Sequence, residues 1–470
     1  MGTVAARRTS HNNGFQTISG AFLQSEDLPF TNVLSAESIR QAFNEEDGLF
    51  AQEDVFSTEL VLWAFLAQVL RDGKGAACSA AVAEIATYLL QTGQRPPSGD
   101  TGDYCRARAK LSLSALRRLV VESAGQLEMD ADDSWLWNGL HAKLVDGFTF
   151  TMPDTPENQE VFPQLTSQSP GVGFPIARCC AVVSLATACV CDVAIGPYEG
   201  KETGEPALLR NMLDIFSNRD IVVFDRCYCS FMMVALLSLD GTHVCTRMHH
   251  RRASDFRRGH RLGQDDHLIT WIRPKKPPWI TDEQYDLIPD TLTLRELRFD
   301  VTVPGRRTEV ITVVTTLTDS KKHSAEDIAE LYGCRWNVEL DIRSIKKTLG
   351  LDHLRCKTPK MIHRELWVTI LAYNLIRKVI ATTAAVHGRK PRRLGFTFAC
   401  QTVLSSWMLL STGSCRDPRR LHADTLSRIA DNEVANRPGR IEPRVLKRRR
   451  HRYPLMTRPR DQLRAKLGKP

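Results

Sequence analysis

The chain lacks the marks of a zinc-stapled, secreted or membrane protein. Its thirteen cysteines form an odd set with no C-x-x-C pair. Cys179, Cys180, Cys189, Cys191, Cys227 and Cys229 lie in apolar, strand-like stretches and read as buried free thiols, not zinc ligands. The His249–His250 pair near Cys245 is too sparse a cluster to alter that. The longest apolar run, 179–191, is interrupted by Ser184 and Thr187 and stops at Asp192. A membrane span needs about 20 apolar residues. The opening MGTVAARRTSHNNGFQ has no apolar core of a secretory leader. No internal repeat is found. A soluble, cytoplasmic protein with no membrane partner is the expectation.

What is present is a large globular composition. With 470 residues, 42% hydrophobic and 25% charged, the chain can bury a sizeable core and is expected to form two or three domains. The net charge of +9 is uneven. Thirteen Lys and Arg face only Glu442 and Asp461 between 437 and 470, so the remainder is nearly neutral. A basic tail of that kind points to nucleic acid or another anionic surface.

Along the chain, 1–30 is polar. Helical patterns follow at 36–48, 58–70, 76–90 and 104–123, the last a basic amphipathic helix with Arg106, Arg108, Lys110, Arg117 and Arg118. This region reads equally as a DNA-binding domain or a helical scaffold. From 142 the period becomes two. AKLVDGFTFTMPDTPEN reads as a strand, a turn and a second strand, with Asp146 inside it. Residues 178–195 give one or two buried strands, 207–216 a short helix, DIVVFD a strand ending in Asp225, and 231–237 a helix or strand. Strands alternating with short helices imply an α/β core. Residues 240–318 read as a β-rich insertion, basic over 247–276, with a PGRR turn. Ser324 with Asp327 forms an approximate capping box, and 365–385 is a long buried helix. The proline-punctuated stretch 437–460 of the basic tail is expected to be extended.

The stretch 332–354, YGCRWNVELDIRSIKKTLGLDHL, organises the rest. Val338, Leu340, Ile342, Ile345 and Leu349 are spaced for burial on a helix. At about 100° per residue, Tyr332, Arg335, Glu339, Arg343 and Lys346 share one face. Either the preceding helix runs straight into it or the chain bends at Gly333. A solvated face of ordinary Glu–Arg pairs is the plain alternative. The cation-rich setting of one acid suits a polyanion met by a metal on Glu339.

Two upstream acids strengthen that reading. Asp146 and Asp225 sit in apolar strands, where an acid is costly unless paired or metal-bound. Asp154, in PDTPEN, is the rival for the first position. Two strand acids and one helix acid could hold two divalent ions for in-line attack on a phosphodiester, and Mg²⁺ suits carboxylate-rich coordination.

The spacing Tyr332-x2-Arg335-x3-Glu339-x6-Lys346 resembles the Y-R-E-K signature of bacterial DDE transposases of the insertion-sequence-four type. VDG at 145–147, PDTPEN at 153–158, DR at 225–226, GLDHLRCKTP, TGDYCRAR and the EPRVLKRRRHRYPLMTRPR tail resemble the family too.

The resemblance implies a domain plan: a flexible 1–30, a helical N-terminal domain at 31–138, and an RNase H-like core at 139–239 and 319–400. A β-rich insertion would occupy 240–318, and a helical, basic C-terminal region 401–470. It implies Asp146, Asp225 and Glu339 as catalytic metal ligands for two Mg²⁺ ions, with Mn²⁺ as a substitute. Tyr332, Arg335 and Lys346 would hold the DNA end. Arg343 joins them on helix geometry, and Trp271, with Trp279 behind it, is the candidate to stack on a flipped base. The implied partners are double-stranded DNA, as terminal inverted repeats and target, and a second copy in a homodimeric synaptic complex. The implied activity is cut-and-paste cleavage and strand transfer, with or without hairpin ends, by a nucleoid-associated enzyme. A nuclease without strand transfer and an inactive DNA-binding descendant are the competing readings.

Overall fold

The computed structural model describes residues 36–46, 48–50, 55–91, 93–301, 309–411, 417–435 and 454–467. The polar stretch 1–30, the PGRR turn and the tail at 436–453 lie outside them. The chain divides into two compact units. One comprises Met1–Asp132, Ser344–Leu351 and His363–Val434; the other comprises Asp133–Arg343, Asp352–Ile362 and Ala435–Pro470.

The first unit is helical, beginning with α1 (Ala36–Glu45), α2 (Thr58–Val69), α3 (Cys78–Gln91), α4 (Gly102–Ala109) and α5 (Leu113–Met129). The sequence TELVLWAFLAQV is apolar on every side, so α2 is buried almost all round. Its one amide, Gln68, is fully used. Gln68 Nε2 donates to Ala76 O at 2.8 Å, and Oε1 accepts from Tyr104 Oη at 3.0 Å and Arg108 Nη1 at 2.9 Å. This corrects the single basic helix expected over 104–123. The helix stops at Ala109, and Ser112 starts α5 by accepting from Ala115 N, because a serine at a helix start satisfies an otherwise orphaned N–H. Arg108 also turns inward, 4.6 Å from the Phe65 ring.

The second unit is built on a nine-stranded sheet, order β3-β2-β1-β4-β5-β9-β8-β7-β6. In chain order it contains β1 (His141–Thr151), α6 (Pro156–Val161), β2 (Ile176–Ser184), β3 (Val190–Pro197), α7 (Glu205–Arg210), β4 (Asp220–Phe224) and α8 (Phe231–Leu239). Then come β5 (His243–Arg247), β6 (His260–Gly263), β7 (Asp266–Ile272), α9 (Asp282–Leu287), β8 (Thr291–Val301) and β9 (Glu309–Thr315). β1, β4 and β5 run parallel; every other pairing is antiparallel. Through β9 beside β5, the strands of 240–318 continue the same sheet.

β1 corrects the expected strand–turn–strand. It pairs with β2 without a break from Lys143 to Thr151, straight through Asp146–Gly147. An unbroken ladder satisfies every backbone group that a turn would expose. Residues 231–237 prove helical, with Ser230 accepting from Met233 N as the cap.

The remaining helices are α10 (Ala325–Gly333), α11 (Trp336–Thr348), α12 (Pro359–Val386), α13 (Phe396–Ser411), α14 (Pro418–Ala430) and α15 (Arg460–Leu467). Both arms of the Ser324/Asp327 capping box form at α10. α15 begins at Arg460, the last residue of the stretch 437–460 expected to be extended; of that stretch 454–460 is described, and 454–459 forms neither helix nor strand. Among the described residues no helix is long and apolar enough to cross a membrane.

Candidate active site

Asp146 and Asp225 are brought together by sheet register. The last paired residues of the parallel strands β1 and β4 are Leu144 and Val223. Each aspartate lies two residues beyond its member of that pair, Asp146 within β1 and Asp225 directly after the end of β4, so the register sets both at one level of the sheet. Asp225 caps the 3-10 turn Arg226–Tyr228, with its carboxylate accepting from Arg226 N at 2.5 Å. Asp146 Oδ1 accepts from Gly147 N at 2.9 Å.

Glu339 lies in the first turn of α11. Arg335 Nη2 donates to Glu339 Oε1 at 3.3 Å, with Arg335 only 8% exposed. Burial opposes the guanidinium charge, but Tyr332, Asp146, Asp225 and Glu339 together outweigh it and raise the Arg335 pKa. Arg335 is therefore the cation on which all three acids bear. Burial likewise pushes Asp146 up to about 6. The Gly147 N–H and Arg335 work against that rise, while Glu205 and Glu339 add to it. Burial also raises the Tyr332 hydroxyl pKa.

The single helix face is corrected. Tyr332 is near the end of α10, Arg335 lies between helices, and Glu339 is in α11. The junction uses i→i−3 bonds, from Arg335 N to Tyr332 O at 3.1 Å and Val338 N to Arg335 O at 3.2 Å. The Asn337 side chain also donates to Cys334 O at 2.9 Å, taking a carbonyl that a continuous helix would use. Val338, Ile342, Ile345 and Leu349 are buried as read, but Leu340 is exposed.

Arg343 is exposed on α11, and Lys346 follows Glu339 by two turns. Asp154 stands away from Asp146, past the end of β1; it is exposed and accepts from Gln159 Nε2 at 2.8 Å. Trp271 does not offer a free ring face. It is 5% exposed, its Nε1 donates to Glu296 Oε1 at 3.3 Å, and the Arg252 guanidinium lies 3.7 Å from the ring centre. Trp279 is half-buried under Arg210, at 4.0 Å. Among the described residues no three His, Cys, Asp or Glu side chains already surround a common point as metal ligands.

One acid beside the site has no sequence signal. Glu205, first in α7, accepts from Tyr228 Oη at 3.2 Å and packs against Gly147. It belongs to no periodic pattern, and only the tertiary fold brings it to Asp146.

Residues 138–375 match the transposase DDE domain family, and the chain belongs to that family. Within it the chain is of the IS4 type: a DNA transposase, an enzyme of DNA cleavage and strand transfer. It is 28% identical over 352 residues to transposase InsG for insertion sequence element IS4 of Escherichia coli K12, covering 74% of this chain and 77% of the relative. Putative transposase InsZ of the same strain is 28% identical over 127 residues, covering 27% and 40%. Among solved structures, a piggyBac transposase synaptic complex with hairpin DNA aligns over 90% of this chain and 86% of its own, with a TM-score of 0.41 and 11% identity. Enzymes of the DDE family generally work with divalent metal ions.

Proposed function

We propose that Asp146, Asp225 and Glu339 are the metal-binding carboxylates of this transposase, and that the enzyme cuts and joins DNA at the terminal inverted repeats of its element. The observation that carries this is geometric: Arg335, buried, donates to Glu339 at 3.3 Å, and the β1–β4 register sets Asp146 and Asp225 at one level. The donor set is oxygen-only, which fits Mg²⁺, with Mn²⁺ as a substitute and two ions per site. Burial is what raises the Asp146 pKa, with smaller additions from Glu205 and Glu339, and a bound cation would favour its charged form. Strands β3-β2-β1-β4-β5, antiparallel then parallel, support an RNase H-like core. The domain plan stated above, with core segments 139–239 and 319–400, belongs to the same reading.

Bound metal would supply Lewis-acid stabilisation of the developing charge and a more acidic attacking hydroxyl. The chain's residues do the rest. Asp146 and Asp225 orient the attacking oxygen toward phosphorus from one level of the sheet. Water attacks phosphorus and the P–O3′ bond breaks, leaving a 5′-phosphate and a free 3′-hydroxyl; that hydroxyl then attacks a target phosphodiester, forming a new P–O3′ bond as the target strand's own 3′-oxygen leaves as a hydroxyl. Arg335, beside Glu339, counters charge on the scissile phosphate, while Tyr332, Arg343 and Lys346 hold the DNA end. Two copies would pair the two ends in a synaptic complex acting on chromosomal DNA in the cytoplasm, with or without a hairpin step.

Glu339→Gln, Asp146→Asn and Asp225→Asn should each bind element-end DNA as the parent does and lose metal-dependent nicking by roughly a thousandfold or more. A variant that nicks at the parent rate removes its residue from the assignment.

A further inference from the structure

Pairing between β1 and β4 ends at Leu144–Val223, two residues short of both aspartates. No ladder bond therefore fixes the Asp225 turn against the Asp146 strand. A side-chain link crosses that gap. Tyr228, completely buried, donates its N–H to Asp225 O at 3.1 Å and its hydroxyl to Glu205 Oε2 at 3.2 Å. The Tyr228 hydroxyl also lies 3.5 Å from Cys180 Sγ, and Cys180 is the ladder partner of Gly147. Glu205 itself rests on Gly147: a Cβ there would lie 2.0 Å from Glu205 Cδ and 2.2 Å from Oε1. Gly147 has no positive φ. The glycine is therefore needed for space, and the space is occupied by this carboxyl group.

We propose that Glu205 is a positioning residue. Held by Tyr228 and seated on Gly147, it ties the Asp225 turn to the Asp146 strand and sets the separation at which the two carboxylates hold a divalent ion. This rests on the reading of Asp146 and Asp225 as metal ligands. Glu205 acts through geometry: its Oε2 accepts from Tyr228 Oη at 3.2 Å and from Cys227 Sγ at 3.8 Å, and its carboxyl group fills one cradle. Its carboxamide variant keeps an acceptor oxygen for Tyr228, whereas loss of either partner frees the turn.

The test is Mn²⁺ affinity of the full chain without DNA, read by electron paramagnetic resonance titration. Thermal unfolding and element-end DNA binding are measured alongside. Tyr228→Phe and Glu205→Ala should weaken Mn²⁺ binding about tenfold, the usual size of an effect from a partner of a metal ligand. Glu205→Gln should restore it. Gly147→Ala should resemble Glu205→Ala, and the double variant should be no worse than Glu205→Ala alone. Asp146→Asn and Asp225→Asn serve as controls. If these lose Mn²⁺ while Tyr228→Phe and Glu205→Ala keep the parent affinity, the tie is refuted and the site stands. If the controls also keep the parent affinity, the metal-site reading fails first, and the tie with it. Glu205→Gln as weak as Glu205→Ala would refute a geometric role. Should Glu205→Ala not fold, Tyr228→Phe, which deletes one oxygen, decides alone.

Discussion

Lys143 Nζ meets Asp220 Oδ2 at 3.0 Å inside the sheet, three residues before Asp146. The pair is almost wholly buried, and each partner has further bonds. Lys143 donates to Ile215 O at 2.9 Å, and Asp220 accepts from Ser217 N at 2.7 Å and Ser217 Oγ at 2.9 Å. Such a pair adds little net stability, but breaking it strands a charge. Lys143→Met or Asp220→Asn should each cost about 3–5 kcal/mol. A double replacement by apolar residues should recover much of that loss. Denaturant unfolding of the four proteins checks both statements, and strictly additive losses would refute the pairing.

The position of Arg335 has a two-sided consequence. A guanidinium among carboxylates competes with any metal before DNA arrives, yet helps once phosphate enters. Arg335→Met should therefore bind Mn²⁺ more tightly in the absence of DNA. It should also lower the cleavage rate by about a hundredfold, the usual loss when one preorganised charge donor is removed. Titration of the metal and single-turnover nicking read the two effects separately. Weaker metal binding in this variant would show that Arg335 supports the acids structurally and does not compete.

Much of the frame was legible because it follows local rules. DIVVF is a buried strand by composition, and Asp225 ends it. Ser324 and Asp327 make a capping box by spacing alone. What escaped depends on the chain's continuity or on distant partners. Projecting residues at a constant angle assumes an unbroken i→i−4 ladder, and Asn337 breaks it at Cys334. An Asp-Gly pair ordinarily marks a turn, yet at 146–147 the ladder to β2 carries the strand through. Trp271 lies in an amphipathic-looking strand, and Glu296 and Arg252, which enclose it, come from elsewhere in the fold.

Lys378 gives a pH-dependent prediction in the helical unit. It lies in the interior of α12, only 4% exposed, and among the described residues its Nζ has no hydrogen-bond partner. Burial lowers its pKa to about 7, with Asp130 acting weakly in the other direction. Between pH 7 and the usual lysine range the unfolded chain holds the extra proton, so stability rises with pH there. The penalty is complete below pH 7 and gone once the unfolded lysine is neutral. Lys378→Met should therefore stabilise the protein by roughly 4 kcal/mol at neutral pH. That gain should shrink steadily as pH approaches 10. Thermal unfolding across this range tests the slope, and a gain independent of pH would show that Lys378 is not the titrating group.

The enclosure of Trp271 predicts what its loss does. Its indole contributes packing, a bond to Glu296 and a seat for Arg252. Glu296, 2% exposed, also accepts from Ser254 Oγ at 2.5 Å and lies 3.2 Å from His267 Nε2. Trp271→Ala should cost about 3–5 kcal/mol, as large aromatic truncations in cores do, and it also strands an acceptor on Glu296. Trp271→Phe should cost less, keeping the ring but losing the donor. If Trp271 is structural, defects in end processing should track the fall in melting temperature across both variants. If it also stacks on DNA after Arg252 moves aside, Trp271→Phe should cleave modified ends differently from the parent by more than its loss of stability accounts for. Comparing nicking of ends that carry an abasic site with nicking of intact ends separates the two: a structural tryptophan leaves their ratio unchanged, and a stacking one shifts it.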